Sequence, residues 1–351
     1  RTEPPVGAKV TLDLFRKFQD KWVVEVVFDD LLDWNDWFVS NRMLEPAGLV
    51  ALGSHRQLFK DGGASVVMFH NNTVGTPVGS GEETDTMQAA RFESGLDNSP
   101  MYDGDFFDTK THLMELYDVG MSSLFVQEAY SLAELADAIG RKPQVGERLR
   151  KRGDAMRDNI RRYLWDPTQQ VFANRFPNGT FSKHISPTSF YPLLVGAATE
   201  DQASQMVEQW LFNASRFCIS SEGNFTGNDP DLCYWGLPSI SADDPAYLKS
   251  KWIYWRGFVW APQAMILYWA LQAQESRSTT NFSDSIVKAR KNLCQQMEQL
   301  MMSKWETNRH ICETYHPHKK IAECPTTKFY HWGALNGFMG MIEDGYWQDS
   351  L

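Results

Sequence analysis

The stretch FVWAPQAMILYWAL, residues 258–271, is apolar on nearly every face when it is drawn as a helix. A helix that packs on one side only keeps a polar face, so this pattern indicates burial on all sides. Pro262 and Gln263 interrupt the stretch, which also falls short of the roughly 20 apolar residues that a membrane helix needs. Residues 258–271 therefore predict an inner helix of a large helical protein and no membrane span.

Amphipathic helices are predicted on both sides of this stretch. Apolar residues recur at helical spacing from Phe15 to Val26, from His112 to Gly140 and from Ile286 to Met301. Thr199 and Gln202 have the spacing of a capping box, which marks a further helix start. Counted by these templates, the chain has about ten helices.

Strand signals are few. Residues 63–70 and 170–176 predict short hairpins, and residues 51–80, rich in Gly, Asn, Thr and Ser, predict a long surface loop. The chain lacks the alternation of strands and helices that a parallel sheet requires, and no linker divides it. We therefore expect an all-α fold in a single domain that spans residues 1–351.

The composition favours a neutral, hydroxyl-rich ligand. The 351 residues carry a net charge of -10, and 42% of them are hydrophobic, so a large core can form. No run of Lys and Arg is long enough to follow a phosphate backbone, which argues against nucleic acid as a partner. Acidic groups and the 13 Trp suit a carbohydrate, because sugars stack on indole rings and donate hydrogen bonds to carboxylates.

Five glycosylation sequons indicate passage through the secretory pathway, with chance occurrence as the alternative. We expect a lysosomal, vacuolar or secreted protein. The five cysteines are an odd number, which leaves one thiol unpaired. In an oxidising compartment Cys218 could pair with Cys233, and Cys312 with Cys324. The sequon asparagines are Asn71, Asn178, Asn213, Asn224 and Asn281.

The strongest local motif is RFESGLDNSPMYD, residues 91–103, where Gly95, Asn98 and Pro100 end a helix and hold polar side chains there. Hydrolysis of a glycosidic bond needs one acid to protonate the departing oxygen and one carboxylate to activate water or attack carbon. Asp97 and Glu313, which lies in ETYHP at residues 313–317, are the two candidates.

ESGLDNSP at residues 93–100 is similar to the ESGWDNSP signature of glycoside hydrolase family 63 and the related trehalases, with Leu96 in place of Trp. ETYHP, followed by KFYHWGAL at residues 328–335, resembles the ENYNP and FYxWGAL elements of that family. The resemblance implies that Asp97 is the general acid and Glu313 the general base. It further implies inversion, with the two carboxyls about 6.5 to 9.5 Å apart.

A third motif, YWRGFVWAP at residues 254–262, resembles the family's YWRGPVWxP, with Phe258 in place of Pro. The resemblance implies that Arg256 holds sugar hydroxyls or the acid pair, and that Gly257 allows close approach. Taken alone, aromatic residues at helical spacing are more often core than cleft. The substrate-binding residues predicted around the three motifs are Phe92, Asn98, Tyr102, Asp103, Trp255, Arg256, Gly257, Trp260, Tyr315 and Trp332.

The family resemblance implies an (α/α)₆ toroid, a ring of six helical hairpins. TEPPV at residues 2–6 resembles the family's TQPPV segment, which one or two helices usually precede. We therefore expect the first helices of the toroid to be missing from this chain or supplied by another fragment of the precursor, with a homo-oligomer as an alternative. An exposed apolar seam would result.

The function that the resemblance implies is an inverting, exo-acting α-glycosidase for α-glucosidic or α-mannosidic bonds, closer to the mannosylglycerate hydrolases than to the processing α-glucosidases. A carbohydrate-binding protein without turnover is the alternative. A toroid that acts on no sugar, such as a prenyl-processing protein, is a third reading, which would need a metal motif.

Metal chemistry has little support in the sequence, and we expect neither a metal nor a cofactor. His310, Cys312, His316 and His318 lie close together, but their spacing fits no zinc pattern. Asp103, Asp105 and Asp108 could hold a structural calcium, although the interval lacks a calcium-loop pattern. The chain also has no Gly-rich phosphate loop, no GxSxG element and no HExxH helix.

Overall fold

The computed structural model describes residues 2–54, 87–104, 106–219, 236–278, 283–318 and 324–347. The prediction of an all-α fold is confirmed, and nine α-helices lie within these ranges. They are α1 (Gly7–Phe18), α2 (Lys21–Asn41), α3 (Met87–Glu93), α4 (Val119–Ala138), α5 (Pro143–Tyr163), α6 (Glu200–Met206), α7 (Ala261–Arg277), α8 (Ser283–Asn308) and α9 (Leu335–Glu343).

The strands in the described ranges form three small antiparallel hairpins of two-residue strands. The predicted hairpin at residues 170–176 is present, with its partner strand just upstream, whereas the one predicted at residues 63–70 lies outside the described residues. The pairs are β1 (Met43–Leu44) with β2 (Leu49–Val50), β3 (Phe107–Asp108) with β4 (Leu113–Met114), and β5 (Trp165–Asp166) with β6 (Val171–Phe172).

The helix predicted from Phe15 to Val26 is wrong as a single element. Gln19 adopts a left-handed conformation with φ 54° and ends α1, and the Asp20 side chain then accepts a hydrogen bond from the backbone N–H of Trp22 to begin α2. Phe18 and Trp22 are exposed, at 63% and 67%. The spacing of the apolar residues continues across the break between the two helices. The buried faces of α1 and α2 therefore consist of other residues.

Helix α4 is the centre of the first half of the molecule. It begins at Val119, later than the periodicity from His112 suggested, because Leu113 belongs to a hairpin strand. The Asp118 side chain caps α4 by accepting a hydrogen bond from the N–H of Met121 at 2.7 Å. The helix packs against α1, α2 and α5, and Gly140 follows its end with φ 73°.

Helix α7 is the centre of the second half, and its predicted burial is confirmed. It begins at Ala261 with Pro262 in the first turn, where a missing backbone N–H costs nothing. It packs against α8, α9 and the 3₁₀ segment Pro187–Leu193, which also packs against α4. The two central helices and this segment therefore enclose the interior of the molecule.

Other local predictions have mixed outcomes. The capping box at Thr199 and Gln202 is confirmed, since both of its hydrogen bonds are present. Most of the loop predicted at residues 51–80 lies outside the described residues. In the described part of the chain, no helix is both long enough and apolar enough to cross a membrane.

Candidate active site

A cavity of about 800 Å³ opens between the N-terminal ends of α4 and α7. Its volume lies within the usual range for small-molecule sites. One wall is the strap, which we define as residues 2–6, and another is the turn that follows α3. The lining residues are Glu3, Pro4, Val6, Phe92, Ser94, Gly95, Leu96, Asp97, Tyr102, Asp118, Gly120, Met121, Leu124, Thr188, Tyr191, Tyr254, Trp255, Pro262, Gln263, Ile266, Glu313, Thr327, Tyr330, Trp332 and Leu335.

A tight turn after α3 brings Asp97 to the cavity wall. The Ser94 hydroxyl donates to the carbonyl of Arg91 at 2.6 Å and accepts from the backbone N–H of Leu96 at 3.0 Å. Gly95 has φ 69°, and a Cβ at this position would lie 3.3 Å from the ring of Pro4 in the strap. Glycine therefore allows the left-handed turn and the close contact with the strap at one position.

Asn98 joins the Asp97 turn to the motif at residues 254–262. Its side-chain amide donates to the carbonyl of Trp252 and accepts from the N–H of Trp255, both at 2.8 Å. Arg256 donates to the carbonyl of Asn98 at 3.0 Å and to both carboxylate oxygens of Asp103, at 3.1 and 2.6 Å. The two motifs therefore form one rigid unit behind the cavity wall.

Glu313 lies on the opposite loop and is only 7% exposed. The hydroxyl of Tyr254 donates to its Oε1 at 2.9 Å, and the backbone N–H of Thr327 donates to its Oε2 at 3.3 Å. The predicted disulfide between Cys312 and Cys324 is present beside it, with the two Cα atoms 5.4 Å apart. These contacts give the Glu313 carboxylate a defined orientation toward the cavity.

Tyr254 interacts with both candidate carboxylates. Burial raises the pKa of its hydroxyl well above the usual value, and the negative charges of Glu313 and Asp97 raise that pKa further. The hydroxyl therefore stays protonated and donates to Glu313. The backbone φ of Tyr254 is 39°, which is unusual for a residue other than glycine. Backbone strain of this kind concentrates at functional sites.

Two stacked indoles form the wall behind Tyr254. The rings of Trp255 and Trp260 are nearly parallel, with centroids 3.7 Å apart, and the ring of Tyr254 meets Trp260 edge-on at 4.7 Å. The indole N–H of Trp260 donates to the carbonyl of Tyr254 at 3.2 Å. Trp255 thus presents one face to the cavity while Trp260 supports it from within the core.

The strap is held against this site by buried carboxylates. Glu93, which is fully buried, accepts two hydrogen bonds from the Arg42 guanidinium at 2.7 Å and one from the backbone N–H of Thr2 at 3.2 Å. Just after the strap, Glu128 accepts from the backbone N–H of Ala8 at 3.0 and 3.1 Å. Both carboxylates thus position the strap and lie outside the cavity lining.

Asp118 also lines the cavity, and its carboxylate has hydrogen-bond partners within the protein. Asp118 caps α4 and accepts a hydrogen bond from the hydroxyl of Tyr102 at 2.8 Å. Burial raises the pKa of Asp118, and burial together with the Asp118 carboxyl raises the pKa of Tyr102. Tyr102 and Asp118 therefore stabilise the inner end of the cavity.

The cavity brings together half of the residues predicted to act on or bind substrate. Those that line it are Phe92, Asp97, Tyr102, Trp255, Glu313 and Trp332. The other half lies outside this lining, and substrate contact stays a prediction for these residues: Asn98, Asp103, Arg256, Gly257, Trp260 and Tyr315. Arg256 forms an ion pair with Asp103, and Gly257 packs against Leu248, which a Cβ would approach to 2.8 Å.

Several lining residues were absent from the sequence prediction. Tyr254 belongs to the quoted motif at residues 254–262, and its position beside Trp255 was the signal for it. Gln263 is the polar residue that interrupts the apolar stretch. Glu3 and Tyr191 carry no local pattern that would have singled them out.

The structure also bears on the metal alternatives. The potential ligand atoms of His310, Cys312 and Cys324 lie within 4.8 Å of one another, but the two sulfurs are bonded to each other and offer no thiolate. For the calcium alternative, the Asp103 carboxylate is engaged by Arg256, and Asp105 lies outside the described residues. The residues present do not fit a zinc centre at the disulfide.

The remaining predictions concern modification. Asn178 is exposed on a turn, and its side chain accepts from the backbone N–H of Thr180 at 2.9 Å. Asn213 is half-buried and accepts from Ser215, while Asn71, Asn224 and Asn281 lie outside the described residues. Cys218 is disulfide-bonded, and Cys233 lies outside the described residues. Glycosylation and the secretory location stay predictions.

Comparison with known proteins places these features in a family. The sequence family described as mannosylglycerate hydrolase MGH1-like glycoside hydrolase domain has a family model that matches residues 1–332. The GH63 mannosylglycerate hydrolase of Thermus thermophilus, solved with glucose, is similar at TM-score 0.64 and 18% identity, over 97% of this chain and 75% of that chain.

Two further solved structures share the fold. The neutral trehalase of Saccharomyces cerevisiae has TM-score 0.64 and 15% identity, over 100% of this chain and 63% of that chain. A sialidase has TM-score 0.68 and 13% identity, over 97% of this chain and 26% of that chain. At these identities the likenesses show the fold alone, which is the predicted (α/α)₆ toroid. Since the family model spans nearly the whole sequence, the chain is a glycoside hydrolase and belongs to the MGH1-like glycoside hydrolase domain family.

Proposed function

We propose that this chain is an inverting, exo-acting α-glycosidase that hydrolyses α-glucosidic or α-mannosidic bonds, with Asp97 as general acid and Glu313 as general base. One observation carries the proposal. Asp97 and Glu313 line the same cavity, and both carboxylates are close enough to the Tyr254 hydroxyl for their charges to raise its pKa.

The environments of the two carboxylates suit different roles. The carboxylate of Glu313 is oriented by Tyr254 and Thr327, as a base must be to polarise a water molecule. Asp97 follows a turn that is fixed to the strap, where its carboxyl, when protonated, can donate to the departing oxygen. An inverting enzyme places acid and base on opposite faces of the sugar with room for water between them.

Trp255 and the tyrosines that line the cavity supply the surfaces on which a sugar ring would pack. Trp255 lies directly after Tyr254, and its stacking on Trp260 keeps its ring in one orientation. Sugars present apolar C–H faces to indole rings, while their hydroxyls turn to polar groups at the rim. Two carboxylates can perform the hydrolysis, and the fixed indole beside them can bind the sugar ring.

Glycosides with good and poor leaving groups separate the two roles. Asp97→Asn should reduce kcat/KM about 10²- to 10⁴-fold on a methyl α-glycoside and much less on a dinitrophenyl α-glycoside, whose leaving group needs no proton. Glu313→Gln should reduce both to a similar extent, because each reaction needs the activated water. Glucosides and mannosides are both assayed, and NMR of the first product should show the β-anomer.

Glu134→Gln provides the control, since Glu134 is exposed and paired with Arg16 at 2.7 Å. This variant should keep the activity of the wild type. An α-anomer as first product would contradict inversion, and equal losses on both leaving groups in Asp97→Asn would contradict its role as the acid. A wild type that binds glucose or mannose without hydrolysing any of the glycosides would establish the alternative, a carbohydrate-binding protein without turnover.

A further inference from the structure

Gln263 is a buried amide in the cavity wall. It lies in the first turn of α7, lines the cavity and is only 3% exposed. Neither Nε2 nor Oε1 has a hydrogen-bond partner within the part of the chain that the structure describes. Buried polar side chains nearly always have a partner, and leaving one without a partner lowers stability. This position therefore needs an explanation other than packing.

The surroundings of Gln263 make an apolar residue the simpler choice for stability. The cavity lining also includes Pro262 and Ile266 of the same helix, and Met121 and Leu124 of α4. A leucine at position 263 would match them in character and would bury no unpaired amide. The glutamine thus lowers stability, and the cavity is the place where its amide can gain a partner.

We propose that the Gln263 amide binds a pair of adjacent hydroxyls on the sugar ring that occupies the cavity. The amide has an N–H donor beside a carbonyl acceptor, and a hydroxyl can both donate and accept. Two neighbouring hydroxyls of a pyranose therefore satisfy both atoms at once. The inference rests on the proposed function only in taking the ligand to be a sugar, and it assigns no chemical step to Gln263.

Specificity follows from the cost of leaving the amide unpaired. A site that contains buried polar groups rejects an analogue that lacks the matching hydroxyl, because the protein groups lose their partners. An apolar pocket discriminates much less between the same two ligands. Gln263 therefore makes the cavity selective for a hydroxylated ring over its deoxy analogue.

Helix α7 itself offers a matched control. Gln274 is also 3% exposed, and its Oε1 likewise has no partner among the described residues, yet it is outside the cavity lining. It lies eleven residues after Gln263, about three turns or ~16 Å along the same side of the helix. Gln263→Leu and Gln274→Leu thus remove similar groups from one helix, and only the first alters the cavity.

Binding of D-glucose, D-mannose and their monodeoxy derivatives is measured by calorimetry for the wild type and the two variants. Gln263→Leu should weaken binding of the better sugar about 10- to 100-fold, the range expected for a lost buried hydrogen-bonding partner. At least one monodeoxy sugar should bind the wild type that much more weakly than its parent, and Gln263→Leu should abolish the difference. Gln274→Leu should keep the wild-type affinities, and Gln263→Leu should show a raised Tm.

Unchanged affinity and an unchanged deoxy pattern in Gln263→Leu would overturn the inference. An equal loss of affinity in Gln274→Leu would also overturn it, since the effect would then arise from the helix core. Hydrolysis of glycosides is measured separately from sugar binding. A wild type that binds sugars through Gln263 but hydrolyses no glycoside would defeat the proposed function and leave this inference standing, and hydrolysis without any dependence on Gln263 would do the reverse.

Discussion

Glu93 and Glu128 are buried carboxylates that hold the strap at Thr2 and the chain just after the strap at Ala8, and their surroundings differ. Glu93 forms an ion pair with Arg42 and accepts from the N–H of Thr2. Glu128 accepts from the backbone N–H groups of Ala8 and Lys9 at the start of α1, and burial raises its pKa from 4.5 to about 7. One end is thus held by a charge pair, and the other by a carboxyl group that burial discourages from ionising.

The difference shows how two ends of one segment respond to different perturbations. Loss of the Arg42 charge would leave Glu93 as a buried charge without its pair, which is among the costlier defects in a protein interior. Glu128 is instead sensitive to pH. Its pKa is about 7, so small changes of pH near neutrality alter the charge of its carboxyl group. The strap lines the cavity through Glu3, Pro4 and Val6, so both perturbations reach the cavity wall.

The largest effect is expected from Arg42→Leu. Removing one partner of a buried ion pair typically costs about 3 to 5 kcal/mol of unfolding free energy. Urea denaturation measures this loss, and kcat/KM should fall as the strap loses its position. Arg148→Leu is the control, because Arg148 pairs with Asp36 at the surface and such pairs contribute about 0 to 1 kcal/mol. Equal losses in the two variants would contradict the importance of the buried pair.

A smaller effect, confined to a pH window, is expected at the other end. Between pH 4.5 and about 7 the folded state keeps a proton on Glu128 that the unfolded state has released, so stability falls as pH rises through this window. The total fall is about 3 kcal/mol at 1.36 kcal/mol for each pH unit. Glu128→Gln should lack it, so the difference in unfolding free energy between variant and wild type should grow over this range. Parallel pH curves would rule out a raised pKa for Glu128.

The smallest effect is expected from a contact between the strap and α2. The indole N–H of Trp34 donates to the hydroxyl of Thr2 at 2.6 Å. Trp34→Phe removes this bond and should cost about 1 kcal/mol. KM for a glycoside should rise, because the strap is less well fixed. Trp210→Phe removes a comparable bond, from the indole to the carbonyl of Gln169 at 2.9 Å, and should leave KM unchanged. A rise of KM in both variants would mean that the effect is not specific to the strap.

Sequence reasoning succeeded where the information was local. The all-α class and the buried stretch at residues 258–271 follow from the spacing of apolar residues, which the backbone of a helix dictates. Asp97 lies in a turn that Gly95 and Asn98 define within a few residues. Its location in the cavity wall, with Glu313 in the same lining, agrees with the motifs, while the catalytic roles stay predictions.

Sequence reasoning did not foresee contacts between side chains that are distant along the chain. Arg256 binds Asp103, which is 153 residues away, and its motif does not indicate this contact. Its predicted contact with sugar hydroxyls or the acid pair stays a prediction. Trp260, five residues after Trp255, stacks against it and is fully buried. Such choices depend on tertiary packing, which the spacing within a single motif does not encode.

The first helix shows a failure of periodicity itself. Phe18 and Trp22 are spaced as helical neighbours, but the left-handed Gln19 and the Asp20 cap separate them into α1 and α2. A single residue in a left-handed conformation rotates everything that follows it, so the apolar spacing no longer marks one face. The capping aspartate was the local signal for this break.

The stacked pair of Trp255 and Trp260 also provides a spectroscopic signal from the cavity. Indole rings that lie parallel with centroids 3.7 Å apart share their electronic excitation, and such coupling shapes the near-ultraviolet circular dichroism of a protein. One ring of the pair faces the cavity, and the other is fully buried. Occupation of the cavity changes the environment of one chromophore and not of the other, so the molecule contains its own optical reporter of a bound ligand.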